Sequence, residues 1–195
     1  DTSAELSEAV EGGIIIQIDR GLYAMPETWE DSLVVTQCRY ARGIFADNSA
    51  LWLQDLSDER LSHYDFSSKL QQVVGKGCGH NLPSCATKVL ELGICSAITP
   101  HGNAVCAHDA EKSLCDVVRG PLGHADLQIV IPAMRMYIGS DRCDPPKLIA
   151  YSRHLGVERK ISGYLEVLCE DHQRDFSPRE TMINAVRRSR IIRTA

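Results

Sequence analysis

The chain has 195 residues, of which 44% are hydrophobic and 24% charged, and it carries a formal net charge of −5. Such a hydrophobic share excludes a disordered chain, and the acidic balance removes any general attraction to nucleic acid or an anionic membrane surface. No apolar run approaches the roughly 20 residues a bilayer-spanning helix needs; the longest clusters, at 14–18 and 129–131, are strand-sized.

Asp1 is preceded by no basic or apolar leader, so a signal or pro-segment is expected to have been removed. Thr2-Ser3-Ala4-Glu5 has the form of a capping box and Gly12-Gly13 supplies a stop, which predicts a short N-terminal helix. The β-branched run Ile14-Ile15-Ile16-Gln17-Ile18 then predicts a strand covered on both faces. After Pro26, the residues Trp29, Leu33, Val34, Cys38, Ala41 and Ile44 recur at three- and four-residue intervals, with Thr28 and Asp31 as start signals. They predict a helix with Cys38 on its buried face. Residues 50–53 and 70–74 read as short strands on either side of a polar, loop-rich stretch at 55–65. Residues 86–92 and the segment from Ala107 toward Cys115 and Val117 have helical composition.

Arg119-Gly120-Pro121-Leu122-Gly123 is the clearest punctuation, and a domain boundary is expected there, giving a cysteine-rich α+β domain over 1–120 and a β-rich domain over 121–195. Beyond it, Met134, Met136 and Ile138 alternate with Arg135 and Tyr137, and Ile161, Leu165, Val167 and Cys169 share parity. Both patterns predict half-buried strands, with a further strand at 148–151. Ser177-Pro178-Arg179-Glu180 combines an N-cap, a first-turn proline and a glutamate three residues on, so a C-terminal helix is expected there.

Five of the eight cysteines (Cys78, Cys85, Cys95, Cys106 and Cys115) fall in one stretch, at spacings of seven to eleven residues. These gaps are too wide for the CxxC pairs of a zinc ribbon, and they favour disulfides formed in an oxidising compartment. Cys38 supplies a sixth member of an even set, for three bridges. Cys143 and Cys169, alone beyond the boundary, pair most simply with each other. A zinc site would draw on Cys78-Gly79-His80, Cys106-Ala107-His108 and Cys85, but ligands one residue apart rarely converge tetrahedrally; no metal and no cofactor is expected. Gly75-Lys76-Gly77-Cys78-Gly79 lacks the spacing of a phosphate-binding loop and reads as a turn.

This layout of Thr2 to Val10, the six cysteines and a later region with Cys143 and Cys169 resembles the secreted cysteine-rich effectors of plant-pathogenic fungi, and most closely the dual-domain effectors that Fusarium secretes into xylem. The resemblance implies an N-terminal helix feeding a β-containing domain with three bridges, followed by a smaller β-sandwich-like domain. It also implies a secreted virulence effector, an avirulence determinant detected by a plant immune receptor, that works by binding a host protein. No catalytic residue carries over.

For partner binding the exposed stretch at 55–65 offers Glu59, Arg60, His63 and Tyr64, whose bland reading is a solvated connector. A monomer is expected, with no nucleic acid and no membrane span. The alternative is a small secreted hydrolase or ribonuclease-like enzyme assembled from Lys76 and two of His80, His101, His108, Asp109, His124, His154 and His172. No nucleophile elbow or zinc-protease motif accompanies them. Arg187, Arg188, Arg190 and Arg193 at the C-terminus suit the negative end of a helix dipole.

Overall fold

The computed structural model describes residues 2–28, 31–59, 61–67, 89, 91–120 and 125–175. Helix α1 (Thr2–Glu11) is the expected N-terminal helix, ending where Gly12 and Ile14 donate to the Glu8 and Ala9 carbonyls. The following isoleucines do not enter a covered strand. Strands β1 (Ile16–Asp19) and β2 (Leu22–Ala24) form a two-stranded antiparallel ribbon, and Ile14, just before it, and Ile16 within it are exposed.

Helix α2 (Ser32–Arg39) starts where Asp31 accepts hydrogen bonds from the Leu33 and Val34 amides at 3.0 and 3.4 Å. The other Asp31 oxygen accepts from Thr99 Oγ1 at 2.5 Å and Asn103 Nδ2 at 3.0 Å, so one buried carboxylate both caps α2 and fastens it to a distant hairpin. Burial pushes this carboxyl up, and the four hydrogen bonds outweigh it and hold the group below its ordinary value. α2 buries Leu33 and Thr36; Cys38 lies roughly 200° around the helix from Thr36 and is exposed, contrary to the buried face expected for it.

Strand β3 (Ile44–Phe45) leads into α3 (Asp47–Leu53), a helix where a strand was expected at 50–53. Ala50, Leu51 and Leu53 are all buried, a density that fits either element, and the start is decided by Asp65, whose carboxylate accepts from the Asn48 and Ser49 amides. Strands β4 (Phe66–Ser67), β5 (Ile94–Ile98) and β6 (Ala104–His108) complete a four-stranded sheet in the order β4-β3-β6-β5, antiparallel except for the β3–β6 pair. The strand expected at 70–74 lies outside the described residues, as does most of the helix expected at 86–92.

Helix α4 (Ala110–Arg119) follows β6 directly, capped by Asp109, which accepts from the Lys112 amide at 2.9 Å. The Asp109 amide donates to the Gly93 carbonyl at 2.7 Å, and a Cβ on Gly93 would meet Asp109 Oδ1 at 2.5 Å and Lys112 Cβ at 2.8 Å; with φ at +68°, only glycine fits there.

After residue 125 the chain is helical, which corrects the expected β-rich, sandwich-like C-terminal domain for residues 125–175. Helix α5 (Leu127–Gly139) covers the strand expected at 134–138, α6 (Pro145–Leu155) the one at 148–151, and α7 (Glu158–Asp175) the one at 161–169. Asp126 and Asp144 cap the first two, the latter with Pro145 in the first turn. The buried set Val130, Ala133, Met134, Tyr137 and Ile138 follows the helical period of three and four. Val167, expected inward on parity, is 62% exposed, while Ile161, Leu165 and Leu168 are buried.

Two apolar clusters form among the described residues. Leu33, Phe45, Leu53, Phe66, Ala97, Val105 and Ala107 form the sheet core. The larger one gathers Leu51 and Leu56 with residues of α4, α5, α6 and α7, so it runs continuously across Gly120, where a boundary was expected. Architecture is therefore α+β, and among the described residues no helix is long and apolar enough to cross a membrane. The helix expected from Ser177 lies outside the described residues.

Candidate functional site

Helix α4 packs against α3, α5, α6 and α7, and this position covers every side of it. From Glu111 to Val118 each residue is buried, so charges that a sequence reading places in solvent lie inside the protein. Lys112, Asp116 and Arg119 recur at intervals of four and three and share one face of α4, and His108, at the end of β6, approaches the same face. Lys112 Nζ pairs with Asp116 Oδ2, and these side chains are only 2% and 5% exposed. His108 Nδ1 lies 3.7 Å from the same oxygen, and Arg119 Nη2 lies 3.4 Å from Asp116 Oδ1.

Asp47 is half-buried at the start of α3, the helix that packs on α4. Its backbone is held at φ 45°, a left-handed conformation that aspartate tolerates better than most residues but that still costs energy. Burial pushes its carboxyl up to about 7, assisted by the nearby charges of Asp116 and Asp65 and opposed by Lys112 and Arg119. Asp65 is itself raised by burial, against the opposing effects of His63 and the two α3 amides it caps.

A second set occupies another side of α4. Lys147 Nζ bridges Asp109 Oδ2 at 2.9 Å and Glu111 Oε2 at 2.8 Å, and Tyr151 Oη donates to Asp109 Oδ2 at 3.4 Å. Burial lowers Lys147, but the two carboxylates outweigh it and raise the group above its ordinary value. Tyr137 Oη donates to Glu111 Oε1 at 2.9 Å and accepts from the Asp144 amide at 2.8 Å, joining α4, α5 and the turn before α6.

Of the partner-binding residues expected from sequence, His63 stands beside Asp65, and Tyr64 packs on β3 and the start of α2. Glu59 is exposed, with its amide donating to Ser57 Oγ at 3.2 Å, whereas Arg60 lies outside the described residues. His63 is exposed, with Nδ1 3.0 Å from Ser62 Oγ and Nε2 3.5 Å from Asp65 Oδ1. Tyr64 meets the Phe45 ring edge-on at 5.8 Å, and its hydroxyl is 2.6 Å from Ser32 Oγ. No protein-family model matches the chain, and no curated protein is significantly similar to it.

The cysteines do not form the expected set of three bridges. Cys38, Cys95, Cys106 and Cys115 carry free thiols. In the β5–β6 register Cys95 stands opposite Ala107 and Cys106 opposite Ser96, so the two side chains leave opposite faces of the sheet and cannot bond each other. Cys115 is enclosed in the helical core; burial raises its thiol strongly, and it also raises Cys95 and Cys106. Cys143 and Cys169 pack against the same helical core, and Cys78 and Cys85 lie outside the described residues. Among the described residues no group of three or more His, Cys, Asp or Glu is placed to hold a metal ion.

Of the acid and base groups noted in the sequence, His108 and Asp109 enter the buried sets, while His101 and His154 are exposed on other parts of the chain. Lys76, His80, His124 and the His172 side chain lie outside the described residues, as do the C-terminal arginines. Glu111, Lys112, Asp116, Asp47 and Lys147 were not singled out. The signal that could have found two of them is the spacing Lys112, Asp116, which places opposite charges on one helical stripe of a segment that also carries the apolar Leu114, Val117 and Val118.

Proposed function

We propose that the protein acts by binding a partner macromolecule through the exposed segment that carries Glu59, His63 and Tyr64, with the buried charges around α4 serving as the frame that holds this segment. The observation that carries this reading is the pinning of an exposed loop at several points. The Ala46 amide donates to the Asp65 carbonyl at 3.0 Å, the Asp65 amide donates to Ser49 Oγ at 2.8 Å, and Tyr64 is held by Ser32 and Phe45. A solvated connector needs no such anchoring, whereas a recognition loop gains affinity from being ordered before its partner arrives. The thiols support the same reading, because burial raises Cys95, Cys106, Cys115 and Cys169, the opposite of what a nucleophile requires.

The biological setting we propose is that of a secreted effector acting on a host protein. It comes from the cysteine layout, and the helical segment 125–175 is not what the effector resemblance implies, so binding is the part with structural support. Both parts are tested by expressing the secreted chain in candidate host leaves, with and without an immune receptor, beside a Glu59→Ala/His63→Ala variant. The variant should keep the wild-type unfolding midpoint and lose the response. A response unchanged by that variant but abolished by His101→Ala or His154→Ala would instead favour a secreted hydrolase.

A further inference from the structure

No residue of 4–28 is buried, and none joins either apolar cluster. Helix α1 and the β1–β2 ribbon therefore form an arm on the body, and Arg39 Nε and Nη2 donate to Asp19 Oδ2 at 2.8 and 2.7 Å to tie the ribbon to α2. A ten-residue helix and a two-stranded ribbon are each marginal in water without a layer packed on them. The open surface is acidic along α1 and apolar beyond it. Glu5, Glu8 and Glu11 are exposed at intervals of three, and Ile14, Ile16 and Met25 are 62%, 43% and 58% exposed. Residues 4–28 carry five carboxylates against Arg20, a formal charge of −4.

We propose that the C-terminal segment 176–195 docks on this arm and supplies the layer that the arm lacks. Its five arginines and Glu180 give it a formal charge of +4, equal and opposite to that of the arm, in a chain whose total is −5. Arg187, Arg190 and Arg193 repeat the interval of three found in Glu5, Glu8 and Glu11. An antiparallel crossing of α1 with the helix that Ser177 to Glu180 signals sets Arg193 by Glu5, Arg190 by Glu8 and Arg187 by Glu11. The same crossing carries Met182, Ile183 and Val186 toward Ile14 and Ile16. Reach is no obstacle, because α7 ends at Asp175 and the twenty residues beyond it extend to about 65 Å, more than the width of a domain of this size. A second copy is the weaker occupant: Ile14, Ile16 and Met25 offer a few hundred Å², below the roughly 800 Å² that each partner of a stable dimer buries. A tethered segment needs less area, since the chain already confines it near the arm. The docked tail is independent of what the loop at 55–65 binds.

The test uses the full chain without a partner. Reversing the tail with Arg187→Glu/Arg190→Glu/Arg193→Glu should raise amide hydrogen exchange across α1, β1 and β2 by about tenfold and leave α4 unchanged. Adding Glu5→Lys/Glu8→Lys/Glu11→Lys restores opposite charges and should return the arm to within about threefold of wild type. Exchange in the arm that ignores the tail reversal, or that the second reversal does not restore, refutes the docking. Should either variant fail to fold, the wild-type chain decides through its methyl NOEs: contacts between Ile14, Ile16 or Met25 and residues 182–192 support the docked tail, and their absence overturns it. Arm protection that grows with protein concentration assigns the surface to a second copy and overturns it as well.

Discussion

Replacing Lys112 by methionine removes the one cation that sits wholly within the α4 cluster. Its side chain is 2% exposed and that of its partner Asp116 is 5% exposed, so neither water nor a mobile surface group can take over the lost interaction. Arg119 remains at 3.4 Å from the other Asp116 oxygen, but its side chain is one-third exposed and does not reach Oδ2. Stripping one member from a buried ion pair costs roughly 3–5 kcal/mol, most of it the desolvation of the charge left behind. Lys112→Met should therefore cost about 3 kcal/mol, with Arg119 offsetting the remainder. Adding Asp116→Leu removes the uncompensated charge as well, and Lys112→Met/Asp116→Leu should return to within about 1 kcal/mol of wild type. The assay is urea unfolding at pH 7, with the slope checked for constancy so that a midpoint shift reports stability. If Lys112→Met costs under about 1 kcal/mol, or if the two substitutions simply add, the pair is solvated and the account of α4 as a buried electrostatic frame fails.

Asp47→Asn should flatten part of the pH dependence of stability. A carboxyl raised from 3.8 to about 7 contributes stability that is full below its unfolded value and lost as pH climbs through the folded one, so wild type should weaken relative to Asp47→Asn between about pH 4 and 7, by at most about 4 kcal/mol; an unchanged difference across that range would remove the assignment. Tyr137→Phe takes away a donor to Glu111 and an acceptor for the Asp144 amide, and should lower stability by about 2 kcal/mol in the same urea assay. Gly93→Ala drives a Cβ into Asp109 and Lys112 at positive φ and should cost more than about 2 kcal/mol, visible as a drop in thermal midpoint. Under native conditions iodoacetamide should label Cys38 first and Cys115 only on unfolding, as read by mass spectrometry; early labelling of Cys115 would contradict its enclosure.

Local chemistry was legible where it acts within a few residues. Thr2 to Gly13 gave a helix because start and stop signals lie in the same short stretch, and Asp31 was readable as a cap. Asp109, Asp126 and Asp144 carry the same signal immediately before α4, α5 and α6, and Pro145 strengthens the last. What hid these helices was an ambiguity of period. In α5, Met134, Met136 and Ile138 alternate like a strand, and only by extending the window back to Val130 and Ala133 does the interval of three and four emerge. Strands β3 and β4 are two residues long and exist through pairing between Ile44-Phe45 and Phe66-Ser67, across a span no local pattern reports. The three-bridge expectation met a related obstacle: spacing along the chain says nothing about which sheet face a side chain takes, and the β5–β6 register separates Cys95 from Cys106.

The charged groups of α4 were illegible for a deeper reason. A sequence reading assigns Lys and Asp to solvent because isolated charges are costly to bury, and that rule holds for each residue taken singly. It fails here because α4 lies between α3 on one side and α5, α6 and α7 on the others, so its polar residues have no route to water and must neutralise one another. Lys112, Asp116 and Arg119 do so along one stripe, with His108 of β6 beside them, and Asp109 and Glu111 do so through Lys147 on another side. The second stripe adds a tyrosine hydroxyl from α5 and fixes helices that form one continuous core. The first lies on the side of α3, at whose start stand Asp47 and the capping Asp65, two carboxyls that burial raises.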